Sequence, residues 1–279
     1  MSAPAHQNSE QALLELRHVS VEFASQSLLG GKRETVRAVN DVSLTVKRGE
    51  IVALIGASGS GKTTTVRAAL GLQPVSAGEV RSSGQPISIM TARALFDLRR
   101  RVQLIFQDPT EALNPRMTVE QILLEGLAIH RVGTAAERRG LIEEALGFVG
   151  LKPARTFLSR HPHTLSGGQR QRVAIAASLV LSPDLLIADE PVSMLDPSIR
   201  AGILDLFGRL RTERGMSTLM VTHDLPSAYH LADRVYVMNR GEVVEEGKTR
   251  AVFHAPRHEY TATLICAASG APIGALRAK

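Results

Sequence analysis

The feature that most constrains this chain is an eight-residue glycine-rich segment between two apolar stretches. It reads Gly56-Ala57-Ser58-Gly59-Ser60-Gly61-Lys62-Thr63 and fits the pattern G-x-x-x-x-G-K-[ST]. Residues 51–55 before it are continuously apolar, and residues 64–70 after it carry apolar side chains at helical spacing. A strand, a glycine-rich turn and a helix in this order can direct backbone N–H groups around a phosphate. The segment therefore predicts nucleotide binding.

The side chains of this loop predict how a nucleotide would be held. The expected phosphate-binding residues are Gly56, Ser58, Gly59, Ser60, Gly61, Lys62, Thr63 and Thr64. Lys62 can reach the β- and γ-phosphates of ATP, and the Thr63 hydroxyl can hold Mg²⁺. The alternative is an ordinary Gly/Ser-rich turn between a strand and a helix, but it leaves the Lys-Thr pair at this position unexplained.

Composition sets the broad class of the protein. The 279 residues are 44% hydrophobic and 22% charged, which suits one large globular domain or two small ones. No apolar run reaches the roughly 18 residues of a membrane helix, and the first eight residues lack the pattern of a signal peptide. We expect residues 1–11 to be a flexible tail. The single cysteine, Cys266, excludes an internal disulfide and a four-cysteine metal site, so a cytosolic location is expected.

The net charge of +6 comes partly from arginine clusters at 99–101 and 138–139. Such clusters could face nucleic acid, anionic lipid or ATP. The favoured alternative is that they are solvated helix faces, since no nucleic-acid-binding motif accompanies them.

Polar side chains follow three predicted apolar strands, at 102–106, 184–188 and 217–221. They are Gln107, the pair Asp189-Glu190, and His223. If these strands lie beside the glycine-rich loop in one parallel sheet, their ends converge where ligands of open α/β sheets bind.

The expected roles follow from the chemistry of each side chain. Glu190 would accept a proton from the attacking water, and His223 would contact the γ-phosphate and steady Glu190. Gln107 would touch both metal and water, so the predicted catalytic residues are Glu190, His223 and Gln107. The predicted magnesium site is Thr63, Gln107 and Asp189. Taken singly, each has a plain alternative: a turn residue for Gln107, a turn cap for Asp189-Glu190, and a structural histidine for His223.

A second candidate anion site lies at the start of a helix predicted over 170–181. The residues before it are Leu165, Ser166, Gly167, Gly168 and Gln169, a Ser-Gly-Gly run without a lysine. Phe23, in a region of predicted strands over 13–25, could stack on an adenine ring, although on its own it reads more readily as a core residue.

Local patterns in the sequence also predict several strands, helices and loops. We expect strands at 42–46, 78–81 and 87–89, helices at 93–101, 119–129 and 135–148, and loops at 28–34 and 110–117. Thr118 is expected to cap the helix at 119, and Gly150 to end the helix at 148.

These motifs together resemble the nucleotide-binding subunit of an ABC transporter, over about residues 12–265. The sequence Leu-Ser-Gly-Gly-Gln at 165–169 is similar to that family's signature. Within the family, several stretches resemble the peptide/nickel uptake group: 106–109, 113–118, 161–163, 188–193 and 256–261. The long loop at 26–35 and the short C-terminus resemble the second of that group's two ATPase subunits, because the first often carries a cysteine cluster near its end. The chain departs from the group's usual pattern at Met194, Pro197 and Glu259.

The resemblance implies an α/β fold: a P-loop RecA-like ATPase core with an antiparallel β subdomain and an inserted α-helical signature subdomain. The implied boundaries are 12–107 and 179–265 for the ATP-binding core, 108–178 for the helical subdomain and 266–279 for a C-terminal tail.

The resemblance also implies ATP and Mg²⁺ as cofactors and a head-to-tail pair of ATPase subunits. Ser166 and Gly168 of one subunit would cover the γ-phosphate held by Lys62 of the other, Asp196 would lie at the seam, and Phe23 would stack on adenine. The implied partners are two transmembrane permeases, a second homologous ATPase or a second copy of this chain, and indirectly a solute-binding protein, with no nucleic acid. The implied location is the cytoplasmic face of the cell membrane.

The predicted function is therefore ATP hydrolysis that energises import of di- or oligopeptides. Nickel or another solute is the alternative cargo. A nucleic-acid-associated ABC ATPase is less favoured because no tandem cassette, coiled-coil insertion or zinc cysteines are present. A kinase or GTPase would leave the signature and His223 unexplained.

Overall fold

Two β-sheets organise residues 12–25 and 34–269, the part of the chain that this computed structural model describes. The first sheet is antiparallel, and its strands are β1 (Ala12–Ser25), β2 (Glu34–Lys47), β4 (Ala77–Ser82) and β5 (Gln85–Pro86). Their order across the sheet is β2-β1-β4-β5. This sheet is the antiparallel β subdomain that the family resemblance implied.

The second sheet has six strands in the order β10-β9-β3-β8-β7-β6. They are β3 (Ile51–Ile55), β6 (Val102–Ile105), β7 (Leu185–Asp189), β8 (Ser217–Thr222), β9 (Arg234–Asn239) and β10 (Glu242–Lys248). All neighbours pair in parallel except β9 and β10. Every residue of β3, β7 and β8 is buried, as their continuous apolar sequences predict for a parallel sheet covered on both faces.

The register of the parallel sheet aligns the strand ends that carry polar residues. Ile55 pairs with Thr222, and Asp189 pairs with Val221. The residues that follow Ile55, Asp189 and Thr222 therefore leave the sheet at one edge. This alignment places the glycine-rich loop beside Glu190 and His223.

Some of the helices cover the sheets, and those between β6 and β7 in the chain form a separate group. They are α1 (Lys62–Ala69), α2 (Ala92–Arg101), α3 (Pro109–Ala112), α4 (Val119–Ile129), α5 (Ala135–Phe148), α6 (Arg155–Leu158), α7 (Gly167–Leu179), α8 (Pro197–Arg214), α9 (Leu225–Leu231), α10 (Thr249–His254) and α11 (Glu259–Ser269). No helix among the described residues has the length and apolar character needed to cross a membrane.

Helices α3 to α7 form the expected helical insertion. Leu123 of α4, Leu146 of α5 and Ile175 of α7 are fully buried in one hydrophobic cluster. Thr118 caps α4 through a reciprocal pair of hydrogen bonds with Gln121, and Gly150 follows the end of α5 with a φ of +82°. The subdomain boundaries at 107–108 and 178–179 stay a prediction.

Several local predictions were wrong. Residues 87–89 form a 3₁₀ turn closed by the Met90 N–H on the Ile87 carbonyl, because the short strand β5 ends at Pro86. The first residues of the loop expected at 110–117 belong to the short helix α3 (Pro109–Ala112), whose start Asp108 caps by accepting from the Thr110 N–H.

Element ends also differ from expectation. The signature helix α7 begins at Gly167, three residues before its predicted start, because Ser166 is its N-cap. Strand β6 ends at Ile105, so Phe106 lies outside it and is half exposed. Helix α11 continues through residues 266–269, where a tail was expected, and Cys266 is buried. The tail predicted at 1–11 and all but the last residue of the loop predicted at 28–34 lie outside the described residues.

Candidate functional site

The glycine-rich loop connects β3 to α1 and forms one wall of a cleft of about 650 Å³. The other wall carries Gln107, Glu190 and His223. The structure thus brings together the loop and the three predicted strand ends, as the parallel-sheet argument required. Ala38 of β2 also lines the cleft. Nothing in the sequence around Ala38 indicates this, because its position depends on how the two sheets meet.

Two loop positions have no room for a side chain. A Cβ atom at Gly56 would lie 2.2 Å from the Met238 carbonyl oxygen, and one at Gly61 would lie 2.4 Å from the Ala38 carbonyl oxygen. Gly61 also has a φ of +102°, which L side chains rarely adopt. The loop is therefore held close to the backbone of β9 and β2, and its shape depends on glycine at both positions.

Lys62 is buried beneath the loop that precedes it. Its Nζ atom donates to the carbonyl oxygens of Gly56 at 2.9 Å and Ala57 at 2.8 Å, with Ser60 Oγ at 3.4 Å. Burial lowers the pKa of the Lys62 ammonium, and the nearby carboxylates of Glu190 and Asp189 oppose that shift. The ammonium is thus poorly hydrated, which favours an added anion in the cleft.

Most of the predicted phosphate-binding residues line the cleft. They are Ser58, Gly59, Gly61, Lys62, Thr63 and Thr64. Gly56 and Ser60 do not: Gly56 packs against Met238, and the Ser60 side chain is buried under the loop near Lys62. Both shape the loop from below.

Glu190 is held by contacts on both carboxylate oxygens. Its Oε1 lies 2.8 Å from Nδ1 of His223, and its Oε2 accepts a hydrogen bond from Gln107 Nε2 at 3.3 Å. Its backbone N–H donates to the Val221 carbonyl at 2.8 Å, which fixes the residue to β8. Glu190 has a φ of +48°, an unfavourable backbone conformation for a residue with a side chain. The carboxylate is therefore positioned toward the cleft at a conformational cost.

Asp189 carries a buried oxygen without a partner. Its Oδ1 atom has no hydrogen bond among the described residues. Burial raises the pKa of Asp189, an effect that the Thr63 hydroxyl and the Lys62 ammonium only partly offset. An uncompensated carboxylate oxygen costs free energy unless a cation or a donor satisfies it.

The signature residues build the start of α7 and do not line the cleft of their own chain. Ser166 Oγ accepts from the Gln169 N–H at 3.3 Å, and Gln169 Oε1 accepts from the Ser166 N–H at 3.0 Å. Leu165 is buried in the helical cluster. Gly167 and Gly168 begin α7, and a Cβ at Gly168 would lie 2.5 Å from Ile199 Cγ2 of α8. The signature residues therefore pack closely against the first turn of α8, which begins directly after Asp196.

Asp196 and Phe23 also lie outside the lining of the cleft. Asp196 is exposed at the start of α8, where its backbone carbonyl accepts from the Ile199 and Arg200 N–H groups. Phe23 lies on β1 opposite Val36 and is 42% exposed, so it is not the core residue that its sequence alone favoured. An exposed aromatic ring remains available for stacking.

The arginine clusters sit on solvated helix faces. Arg101 pairs with Asp184 at 2.7 Å, and Arg139 lies 3.6 Å from Glu143 one helical turn away. These contacts agree with the interpretation of the clusters as solvated helix surface.

The known proteins that this chain resembles are ATP-binding proteins of ABC transporters and peptide importers. The family model described as "ABC transporter" matches residues 39–193. The oligopeptide transport ATP-binding protein OppF of Streptococcus mutans is 41% identical over 260 residues, covering 93% of this chain and 82% of that protein. A putative peptide import ATP-binding protein of Brucella ovis is 40% identical over 259 residues, covering 93% of this chain and 79% of its own length.

A solved structure with the same fold is the ATP-binding cassette MJ0796, described as dimeric, in a post-hydrolysis state and bound to ADP and Pi. It is 32% identical, covers 85% of this chain and 99% of its own, and superposes with a TM-score of 0.74. A cassette of this fold therefore binds the products of ATP hydrolysis.

Proposed function

We propose that the cleft between the glycine-rich loop and Glu190 is the ATPase site of this protein. The chain belongs to the ABC transporter family and is one of its ATP-hydrolysing subunits. The observation that carries this assignment is the Glu190 carboxylate, held at one oxygen by His223 and at the other by Gln107. Both contacts face the cleft that the loop lines.

The loop would hold the phosphates. Its glycines permit a close turn, the first residues of α1 line the cleft with their helix N-terminus, and Lys62 supplies a buried ammonium. An arriving phosphate would replace the Gly56 and Ala57 carbonyls as the partner of Lys62, because an anionic oxygen is a stronger acceptor than a neutral carbonyl.

Glu190 would act as the general base for the attacking water. Its carboxylate needs a fixed orientation to accept a proton at the right distance, and the contacts to His223 and Gln107 provide it. The His223 side chain is more than half exposed and lines the cleft, so its ring can contact the γ-phosphate while holding Glu190.

The residues present fit a magnesium ion. The unpartnered, buried Oδ1 of Asp189 lies at the end of β7, and the exposed hydroxyl of Thr63 and the amide of Gln107 supply further oxygen atoms, which are the ligands Mg²⁺ prefers. Together with phosphate oxygens, these side chains would hold the ion. When bound, Mg²⁺ would neutralise charge on the phosphates.

The signature would act on a partner subunit. Leu165, Ser166, Gly167, Gly168 and Gln169 do not line the cleft of their own chain, yet they form a rigid, capped helix start. A head-to-tail pair would place this helix start over the γ-phosphate bound by the other subunit, with Asp196 at the seam and Phe23 on the adenine. The dimeric state of the related cassette supports this arrangement.

The function is ATP-driven import of peptides, by analogy with the OppF-type relatives. Such a subunit works with membrane permeases. We propose two permeases, a second ATPase subunit of the same family, and attachment of this chain to the cytoplasmic membrane face. Closure of the ATPase pair on ATP and its opening after hydrolysis would move the permeases.

Co-purification tests the transport assignment. The full chain, tagged and expressed in its native cells, is extracted from membranes in mild detergent, with untagged cells as control. Two permeases, with or without a second ATPase, are the expected partners. Recovery of only soluble partners or nucleic acid would contradict it. The permeases recovered would then allow uptake of di- and oligopeptides to be compared with that of nickel.

A further inference from the structure

A tyrosine near the end of the described chain contacts the phosphate-binding loop. The backbone N–H of Ala57 donates to the hydroxyl of Tyr260, on α11, at 3.1 Å. The two residues are 203 positions apart. Ala57 is the second residue of the loop, and Tyr260 is not among the residues that line the cleft. The tyrosine therefore reaches the loop from outside the nucleotide space.

This contact completes a clamp on a single peptide unit. The peptide between Gly56 and Ala57 presents its carbonyl to Lys62 Nζ at 2.9 Å and its N–H to Tyr260. Both ends of the planar unit are thus held, so its orientation is fixed. If Lys62 turned to a bound phosphate, as proposed above, the carbonyl end would lose this partner. The Tyr260 bond does not involve Lys62 and would then hold the unit alone.

Tyr260 is itself anchored by a short chain of hydrogen bonds from β10. The Glu245 carboxylate accepts from the N–H groups of Arg257 at 2.8 Å and His258 at 3.0 Å. The His258 Nδ1 accepts from the Tyr260 N–H at 3.1 Å. The tyrosine ring packs against the buried cluster that includes Ile55, the last residue before the loop. The hydroxyl is therefore presented at a defined place.

We propose that Tyr260 is a positioning residue for nucleotide binding, which keeps the Gly56–Ala57 peptide in the orientation that the phosphate-bound loop needs. This inference rests on the proposed role of the loop as the phosphate site. It predicts an effect on nucleotide affinity and not on the chemical step, because Tyr260 touches neither the cleft nor Glu190.

The test is Tyr260→Phe in the full chain, which removes only the hydroxyl and keeps the ring. Affinity for ADP is measured by calorimetric titration, so that no turnover intervenes, and the KM and kcat for ATP are measured separately. We expect ADP to bind about two- to tenfold more weakly and KM to rise equally, as for the loss of one neutral hydrogen bond. The kcat should stay within about twofold.

The matched control is Tyr229→Phe. Tyr229 lies on α9, is 39% exposed, and its hydroxyl makes no hydrogen bond among the described residues. The Tyr229→Phe variant should bind ADP with unchanged affinity. Glu245→Ala provides a second route, because it removes the anchor of Tyr260 and keeps the hydroxyl. The double variant of Glu245→Ala and Tyr260→Phe should bind ADP no more weakly than whichever of the two single variants binds it more weakly.

Unchanged ADP affinity in Tyr260→Phe, or a fall in kcat at constant KM, overturns the inference. Additive losses in the double variant overturn it as well. Lys62→Ala separates this failure from failure of the proposed site. If Lys62→Ala loses ADP binding while Tyr260→Phe does not, the site stands and only the role of Tyr260 falls. If Lys62→Ala binds ADP normally, the site assignment itself is wrong.

Discussion

Glu190 Oε1 lies 2.8 Å from His223 Nδ1, across the ends of two adjacent parallel strands. The contact joins a residue in a strained backbone conformation to a more exposed ring. It leaves Glu190 Oε2 for Gln107. Because His223 contacts the Glu190 carboxylate, substitutions of the two residues should have coupled effects on turnover.

Glu190→Gln should bind ATP normally and hydrolyse it at least tenfold more slowly. The amide keeps the shape and most of the hydrogen bonding but cannot accept the proton of the attacking water, a role worth roughly 10²–10⁴-fold. ATP binding and phosphate release are measured on the same preparation. Glu213→Gln, at an exposed carboxylate paired with Arg209, is the control and should leave turnover unchanged. Undiminished turnover in Glu190→Gln would rule out the base assignment.

His223→Ala should also slow turnover, by about 10-fold or more, and its effect should not multiply with that of Glu190→Gln. Residues that act as one unit lose their joint contribution when either is removed. The measurement is steady-state phosphate release for both single variants and the double. His254→Ala serves as control, because among the described residues that ring hydrogen-bonds only the Arg250 carbonyl in its own helix and packs near Tyr229, away from the cleft. Fully multiplicative losses would show that His223 acts independently of Glu190.

Asp189→Asn should stabilise the nucleotide-free protein at neutral pH while removing its response to Mg²⁺. Burial raises the pKa of Asp189, so the folded state binds more protons than the unfolded state between the ordinary value of about 4 and the raised one. The contribution of Asp189 to the free energy of unfolding of the wild-type protein therefore falls as pH rises through that window. Above the window, the full cost of burying the ionised carboxylate is present.

The advantage of Asp189→Asn in melting temperature should accordingly grow from about pH 4 upward and vanish below it. Thermal melting with and without Mg²⁺-ADP measures both effects. Asp205→Asn, at a position on the exposed side of α8, is the control. An equal advantage at all pH values would mean that the ionised carboxylate is not the source.

The strand-end residues were predictable because parallel strands present their carboxyl ends at one edge. Four apolar segments were enough to predict which side chains meet. They are the segments that precede Gly56, Gln107, Asp189-Glu190 and His223. The sequence also holds a capping-box pattern, Ser166 with Gln169, that marks the start of α7. The Ser-Gly-Gly run alone predicts this helix three residues too late. The apolar alternation at 87–89 fitted a strand, yet a 3₁₀ turn formed there.

Contacts between distant segments could not be predicted in the same way. The Ala57–Tyr260 bond and the packing of Gly168 against Ile199 depend on where α11 and α8 return to the loop and the signature. No local periodicity encodes those meetings. The exposure of Phe23 depends on its location opposite Val36 on β2, and its sequence context gave no sign of it.

Gly168→Ala should destabilise the protein by about 1–3 kcal/mol, the usual range for overpacking a close contact. A Cβ at Gly168 would lie 2.5 Å from Ile199 Cγ2, an atom fixed near the backbone of α8 by the β-branched side chain. Either α7 or α8 must shift. Because α8 begins beside Asp196 and α7 begins at the signature, such a shift should also lower turnover. Denaturant unfolding and phosphate release measure the two effects.

The neighbouring glycine gives a matched control. A Cβ at Gly167 meets only Leu195 Cδ2, at 4.0 Å, so Gly167→Ala should be tolerated for stability. Ile199→Ala removes the clashing methyl group, and the double variant Gly168→Ala with Ile199→Ala should recover stability relative to the sum of the single losses. If the two losses are additive, the clash is not the cause. A selective loss of turnover in Gly167→Ala, at full stability, would instead indicate that the signature backbone needs glycine for close approach to the phosphate of a partner subunit.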